Sequence, residues 1–316
     1  MLERTFRIAR LTVVARFAGP AMLPAIEPAL AHLLASPAGQ ANLTVELWDS
    51  ASTGIAVPAP PGGRTGFGAT AEDGRVRSAY HALPGILSMY EPASRTAVLW
   101  VPDAKRVPSN EIASPMRMLL HWWARDNGLQ FVHAGSVGIG GRAVLLAGPA
   151  GAGKSTAALA GLLGGLDYLG DDYVLIDTQG GATIHSLYSA AKLQPEQVGA
   201  FPELRPYLTN ADRLATEKAL WFVHRDFPQR TRASAEAAAV LVPRITGGRR
   251  SSLAPIARST ALASIAPSTL AQLSGSDQWS MRVIAGFLEQ VPAFQLDAGR
   301  HLGSLASTLR TLLEAG

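Results

Sequence analysis

Apolar and polar positions in the first third of the chain predict several strands and one helix. Alternation of the two residue classes predicts strands over residues 5–16, 42–48, about 76–90 and 96–101. Residues 22–36 carry leucine and isoleucine at helical spacing, and residues 52–70, rich in Gly, Pro and Ala, predict a loop. We therefore expect residues 1–105 to form a small α+β region, in which we find no chemical motif.

From residue 106 onwards, short apolar runs alternate with helical patterns, as they do in α/β proteins. The predicted strands lie at residues 131–134, 142–147, 171–176, 183–193, 237–245 and 291–296. The predicted helices lie at residues 112–127, 154–164, 268–274, 278–290 and 302–314. We expect residues 106–316 to form an α/β domain that follows the smaller α+β region.

A glycine-rich motif follows the apolar run of residues 143–147 and precedes an Ala/Leu-rich helical pattern. It fits G-x-x-x-x-G-K-[ST] and comprises Gly148, Pro149, Ala150, Gly151, Ala152, Gly153, Lys154, Ser155 and Thr156. Glycines let backbone N–H groups approach phosphate oxygens, and the N-terminus of the following helix adds a positive dipole end. Lys154 is predicted to reach the β- and γ-phosphates, and the Ser155 hydroxyl to bind Mg²⁺. We predict that the protein binds a nucleoside triphosphate at this motif.

An acidic pair, Asp171–Asp172, begins seventeen residues after Lys154 and directly precedes an apolar strand. Two adjacent carboxylates allow a division of roles in phosphoryl transfer. One neutralises Mg²⁺ while the other accepts a proton from an attacking hydroxyl. The alternative is an Asp–Asp turn that only caps the strand. We favour the functional interpretation because of the spacing from the glycine-rich motif.

Three basic residues fit either an ordinary or a catalytic role. His133 ends an apolar strand, where a histidine is usually packed and satisfied, although a neighbouring strand could bring it beside the phosphates. Arg244 ends another strand, and it either stabilises charge on a transferred phosphoryl group or lies on the surface. Lys192 is expected in a loop, as a surface lysine or as a clamp for a phosphate or carboxylate.

The order and spacing of these residues resemble the catalytic domain of HPr serine kinase/phosphorylase. The resemblance covers residues 129–178: His133 with the following AGSV, the VLLAGPAGAGKS stretch that ends at Ser155, and YLGDD, which ends at Asp172. That family transfers a phosphoryl group to a serine hydroxyl of a carrier protein, on a core related to phosphoenolpyruvate carboxykinase. The resemblance implies an α/β fold with a P-loop kinase core of the HPr kinase/PEP carboxykinase type.

The resemblance also implies roles for the candidate residues. Lys154 and Ser155 would bind ATP and Mg²⁺, Asp171 would help to hold the metal, Asp172 would be the general base, and His133 would support the site. The family's segment with a metal-binding Glu has no counterpart that we find in this chain. The resemblance therefore implies a related enzyme with another acceptor.

Two flanking segments are similar to kinases that accompany lasso-peptide biosynthesis. They are residues 114–123, before the histidine, and residues 185–192, after the acidic pair. Such kinases phosphorylate the C-terminal serine of a precursor peptide, so the similarity implies a peptide or small-protein substrate with an acceptor serine. The HPr kinase family forms oligomers, which makes a homo-oligomer an expectation here as well. A nucleotide-gated binding protein that hydrolyses ATP slowly and a small-molecule phosphotransferase remain alternatives.

The amino-acid composition limits the cellular location and the binding partners that we expect. The chain has no cysteine, which excludes disulfides, thiolate metal sites and a cysteine nucleophile. Its net charge of +4 is spread over scattered arginines rather than clustered, so we expect no nucleic-acid partner. The first ten residues mix charged and apolar side chains, and no run of about 18 apolar residues occurs. We therefore expect a cytoplasmic protein without a membrane partner.

Overall fold

The computed structural model describes residues 1–37, 39–56, 69–72, 75–273 and 278–315. The chain forms two compact units, Met1–Asn127 and Gly128–Gly316. The first unit thus runs past residue 105 and includes the helical segment that follows it. Most of the loop predicted over residues 52–70 lies outside the described residues.

In the first unit, the described strands form one sheet in the order β1-β2-β3-β7-β6-β5-β4. The strands are β1 (Leu2–Ile8), β2 (Leu11–Phe17), β3 (Leu43–Asp49), β4 (Ala69–Glu72), β5 (Arg77–His81), β6 (Ile86–Glu91) and β7 (Thr96–Val101). The helices are α1 (Leu23–Leu30), α2 (Ser50–Thr53), α3 (Ser109–Ala113) and α4 (Arg117–Asp126). The β2–β3 and β3–β7 pairs are parallel and the other pairs are antiparallel. The first unit therefore combines one mixed sheet with four helices among its described residues.

Three elements of the first unit differ from the prediction because the chain turns at residues with left-handed backbone. The strand predicted at about residues 76–90 is the β5–β6 hairpin, with Gly85 at a φ of 70° just before β6. The single strand predicted over residues 5–16 is the β1–β2 hairpin, which turns at Ala9 with a φ of 52°. The helix predicted over residues 112–127 is broken between α3 and α4, where Pro115 precedes Met116 with a φ of 55°. A proline disfavours the helical conformation in the residue before it, which ends α3.

The second unit is built on a larger mixed sheet. Its described strands are β8 (Gln130–Val132), β9 (Ala134–Ile139), β10 (Arg142–Ala147), β11 (Asp167–Gly170), β12 (Val174–Asp177), β13 (Thr183–Ser186), β14 (Ala190–Leu193), β15 (Ala219–Phe222), β16 (Ser234–Ile245), β17 (Ser252–Pro255) and β18 (Ala293–Ala298). Its helices are α5 (Lys154–Leu163), α6 (Val223–Asp226), α7 (Arg258–Gln272), α8 (Gln278–Gln290) and α9 (Leu302–Glu314). The sheet order is β11-β9-β10-β16-β13-β12-β8, and β18 pairs with both β16 and β17. Strands β14 and β15 pair with each other outside this sheet.

The centre of this sheet is buried on both faces. Along β10, Val144 and Leu146 pack in a cluster with α5 and α9, while Ala143 and Leu145 pack in a second cluster with α7 and α8. A strand buried on both faces needs apolar residues at every position, which explains the unbroken apolar run before the glycine-rich motif. The result is a three-layer α/β unit with β10 at its centre.

Two predictions for the second unit need correction. The helix predicted from residue 268 begins ten residues earlier, at Arg258, and continues through Pro267 because Ala261 and Ile265 pack in the core. The strand predicted over residues 183–193 is two strands, so that Lys192 lies in β14 and not in a loop. Within the described ranges, none of the helices is long and apolar enough to cross a membrane.

Candidate active site

The glycine-rich motif forms a strand–loop–helix unit in which β10 ends at Ala147 and α5 begins at Lys154. We call the connection, Gly148–Gly153, the glycine loop. Gly151 and Gly153 have φ angles of 79° and 101°, which side chains with a Cβ rarely adopt. The first α-helical hydrogen bond runs from the Ala157 N–H to the Gly153 carbonyl (2.9 Å). The amides of residues 154–156 therefore have no acceptor within the helix, as in anion sites at helix N-termini.

The Lys154 ammonium lies folded onto the glycine loop. It donates to the carbonyl oxygens of Gly148 (2.8 Å) and Pro149 (3.1 Å), and the residue is only 7% exposed. Burial lowers the pKa of Lys154, while the charges of Asp171 and Asp172 oppose the shift. The structure thus brings the acidic pair within electrostatic range of the loop lysine, as the spacing predicts.

The two carboxyls of the acidic pair lie in the turn between β11 and β12 and have different surroundings. Asp171 is 3% exposed, and its Oδ2 accepts a hydrogen bond from the Lys192 N–H (3.0 Å). Its Oδ1 has no hydrogen-bond partner in the part of the chain that the structure describes. Burial raises the pKa of Asp171 to about 6, although the Lys192 N–H and the adjacent Ser155 hydroxyl lower it. Asp171 is therefore a buried carboxyl with one unsatisfied oxygen beside Ser155.

Asp172 is the more accessible carboxyl, with a side chain that is 24% exposed. Its Oδ2 lies 2.6 Å from the Lys192 ammonium, and its Oδ1 lies 3.4 Å from Nε2 of His133. Burial raises the pKa of Asp172, but the Lys192 charge and the His133 contact outweigh it and hold the pKa well below its usual range. Asp172 is thus an anionic carboxylate held between two basic side chains.

His133 is oriented towards Asp172 by residues of α7. Its Nδ1 lies 3.0 Å from Nε2 of Gln272, whose Oε1 accepts a hydrogen bond from the Tyr173 hydroxyl. The Gln272 amide donates to Nδ1, so the imidazole proton is on Nε2 and faces Asp172. The backbone N–H of His133 donates to the Thr269 hydroxyl (3.2 Å). The structure thus places His133 in contact with the acidic pair.

Sequence reasoning missed the residues that hold His133. Gln272 and Thr269 lie more than 130 positions further along the chain, on a helix predicted mainly by its apolar positions. Tyr173 directly follows the acidic pair, and the sequence pattern predicts only that it lies in a strand. The adjacency of Tyr173 to the pair is a signal that could have marked it, whereas Gln272 carries no local signal.

Arg244 lies near the glycine loop but is held by another acid. It stands at the end of β16, next to Ile245, whose Cγ1 would lie 3.3 Å from a Cβ placed on Gly153. Its guanidinium makes two hydrogen bonds of 2.9 Å to the Asp297 carboxylate, and its side chain is 63% exposed. The role on a transferred phosphoryl group stays a prediction.

The donor set fits a magnesium ion that is shared with a phosphate ligand. The described residues contain no group of three or more His, Cys, Asp or Glu side chains arranged to hold a metal by themselves. Mg²⁺ usually takes one or two carboxylates together with phosphate oxygens and waters. Ser155 and the unsatisfied Oδ1 of Asp171 are suitable protein ligands of that kind.

Comparison with known proteins gives a distant likeness among solved structures. No protein-family profile matches the chain, and no curated protein matches it. Among solved structures, the HPr(Ser) kinase/phosphatase from Coxiella burnetii matches with a TM-score of 0.33 and 13% identity, over 59% of this chain and 99% of that chain. We therefore base the functional proposal on the geometry of the site.

Proposed function

We propose that the protein is an ATP- and Mg²⁺-dependent kinase that transfers a phosphoryl group to a serine hydroxyl of a peptide or small protein. The observation that carries this proposal is the acidic pair beside the glycine loop. One carboxyl is buried next to Ser155 with an unsatisfied oxygen, and the other is an accessible anion that contacts His133. A protein that only binds a nucleotide has no need for this second, oriented carboxylate.

Each residue has a role that follows from its surroundings. The amides at the start of α5 and the Lys154 ammonium hold the phosphates, and Ser155 and Asp171 hold Mg²⁺. When bound, the metal neutralises charge on the phosphate oxygens. Positioning of the two reactants supplies most of the acceleration in such reactions.

Asp172 acts at the acceptor. The serine oxygen forms a bond to the γ-phosphorus while the bond from that phosphorus to the β–γ bridging oxygen breaks, and ADP leaves. Asp172 takes the serine proton, and His133 keeps the carboxylate oriented. Asp172 suits this role better than Asp171 because its side chain is 24% exposed, whereas Asp171 is 3% exposed.

We assign the reaction to the second compact unit, inside the expected domain of residues 106–316. The substrate proposed is a peptide whose C-terminal residue is serine, as in lasso precursors, and the support for it is the similarity of residues 114–123 and 185–192 to such kinases. A cytoplasmic location and a homo-oligomer remain proposals of the same kind.

Transfer of label from γ-labelled ATP to peptides tests the proposal. Peptides that end in serine are compared with the same peptides ending in alanine, and the parent protein with Lys154→Met and Asp172→Asn. We expect label on the serine peptides alone, loss of ATP binding in Lys154→Met, and transfer slowed by about 10²–10⁴-fold in Asp172→Asn at retained ATP affinity.

Two outcomes would contradict the proposal. ADP formation without any phosphorylated peptide would favour a nucleotide-gated ATPase, and label on a metabolite would favour a small-molecule phosphotransferase. Undiminished transfer by Asp172→Asn would show that another residue accepts the proton.

A further inference from the structure

Lys192 contacts both members of the acidic pair. Its backbone N–H donates to Asp171 (3.0 Å), and its ammonium lies 2.6 Å from Asp172. The side chain is 15% exposed, so this is a largely buried ion pair and not a surface one. Buried ion pairs are costly to form and are weak evidence for stability, which raises the question of what the lysine does there.

The other positive charges near the loop are engaged or exposed. Lys154 is bound to the carbonyls of the glycine loop, and Arg244 donates two hydrogen bonds to Asp297. Lys218 lies near enough to lower the pKa of Lys154, but it is exposed. Among the described residues, Lys192 is thus the lysine that touches the proposed base directly.

The backbone of Lys192 is held in a strand, whereas its ammonium lies at the end of a long side chain. Lys192 pairs with Leu220 in the β14–β15 ribbon, and its neighbours Ala191 and Leu193 pack in the core cluster that contains α5. The ammonium sits at the end of a flexible four-carbon stem. A movement of the side chain alone would therefore carry the charge from Asp172 towards the phosphate site without disturbing β14.

We propose that Lys192 is a further catalytic residue, whose ammonium passes from Asp172 to the oxygens of the transferred phosphoryl group. This inference rests on the proposed function. Asp172 loses its negative charge when it takes the acceptor proton, and the phosphoryl oxygens, released from ADP and bonded to the acceptor oxygen, then offer the ammonium another anionic partner. This role is of the same kind as the one that the sequence suggests for Arg244.

The ion pair in the structure prepares the lysine for this step. Before transfer the ion pair keeps the ammonium beside the proposed base and partly desolvated, so that a positive charge is already at the site when the phosphoryl group is transferred. Removal of one donor that stabilises developing charge typically slows an enzyme by about 10²–10³-fold. We expect a loss of that size when the Lys192 charge is removed.

Turnover of ATP with water as the acceptor tests the inference without knowledge of the natural substrate. The parent, Lys192→Gln, Asp172→Asn and the double variant are compared by ADP formation, with ATP affinity and thermal midpoint measured for each. Lys105→Gln, an exposed lysine of the first unit, is the matched control for loss of one lysine. We expect Lys192→Gln to turn over ATP about a hundredfold more slowly at nearly unchanged ATP affinity, and Lys105→Gln to match the parent.

The double variant separates a catalytic from a positioning role. If Lys192 acts on the phosphoryl group, adding Lys192→Gln to Asp172→Asn slows turnover further, by at least tenfold. Equal rates in Asp172→Asn and the double variant would overturn the inference, because Lys192 would then act only through Asp172. Undiminished turnover by Lys192→Gln would also overturn it. A parent protein that binds no ATP would instead refute the proposed function.

Discussion

Replacement of Asp171 by asparagine should stabilise the protein while it removes a proposed metal ligand. Burial raises the pKa of this carboxyl from 3.8 to about 6. When a carboxyl has a higher pKa in the folded than in the unfolded protein, it lowers the free energy of unfolding as the pH rises from the unfolded-state pKa to the folded-state pKa. The difference of about two pKa units corresponds to about 3 kcal/mol of unfolding free energy above pH 7.

Asparagine removes this cost because it stays neutral. Its side-chain oxygen still accepts the hydrogen bond that the Lys192 N–H gives to Asp171. We expect the free energy of unfolding of Asp171→Asn to exceed that of the parent by up to about 3 kcal/mol at pH 8 and by less than about 1 kcal/mol at pH 4. Urea unfolding followed by far-UV circular dichroism, at several pH values, measures the difference.

A second buried carboxyl provides the control. Asp177 is 4% exposed, its Oδ1 accepts a hydrogen bond from the Gln179 N–H (2.9 Å), and its Oδ2 lies 3.9 Å from Nε2 of His185. Because Asp177 has this basic neighbour, Asp177→Asn should lose stability or leave it unchanged. A gain for Asp171→Asn that is the same at pH 4 and pH 8 would refute the electrostatic explanation, and so would the absence of any gain at pH 8. Addition of Mg²⁺ and ATP should stabilise the parent more than Asp171→Asn, since the variant lacks the anionic ligand.

Three other substitutions test separate parts of the site. Gln272→Leu removes the donor to His133 Nδ1, so phosphoryl transfer should slow roughly tenfold at unchanged ATP affinity. The ¹⁵N chemical shifts of the imidazole should also report a changed tautomer. An unchanged tautomer and an unchanged rate would show that Gln272 only packs. Arg244→Ala should slow transfer if its predicted role is right, whereas an unaltered rate would confine Arg244 to its surface ion pair. Gly153→Ala forces a side chain into a φ of 101° beside Ile245, and calorimetry should show weaker ATP binding and a loss of about 1–3 kcal/mol of stability; full retention of both would mean that the loop adapts without strain.

The elements that the sequence predicts well are those whose signal is local. The boundary between β10 and α5 follows from an unbroken apolar run, glycines and a helical pattern that are contiguous in the chain. Helix α9 lies at the predicted position because its buried leucines repeat at helical spacing. In contrast, the hairpin turn at Ala9 lacks the glycine or asparagine that usually marks a left-handed position, so no local signal divides β1 from β2.

Only some contacts of the candidate site can be predicted from residues that are close in the sequence. The spacing of the loop and the acidic pair predicts their proximity, since β11 and β10 both pair with β9 in the sheet. The contact between His133 and Asp172 depends on the pairing of β8 with β12, and the orientation of His133 depends on Gln272, 139 positions away. Such contacts are set by tertiary packing, for which a single sequence carries no direct signal.

The different states of the two adjacent carboxyls follow from residues outside the pair. Two neighbouring carboxylates repel each other, and the charge of Asp172 adds to the rise in the pKa of Asp171. Lys192 stabilises the two carboxylates to different extents, because its neutral backbone N–H donates to Asp171 whereas its charged ammonium contacts Asp172. Asp171 keeps an unsatisfied oxygen that a cation could bind, whereas Asp172 is an anion in an ion pair with Lys192. The Asp–Asp dipeptide supplies two like groups, and β14 and α7 give them the different surroundings on which their proposed roles, as metal ligand and as proton acceptor, depend.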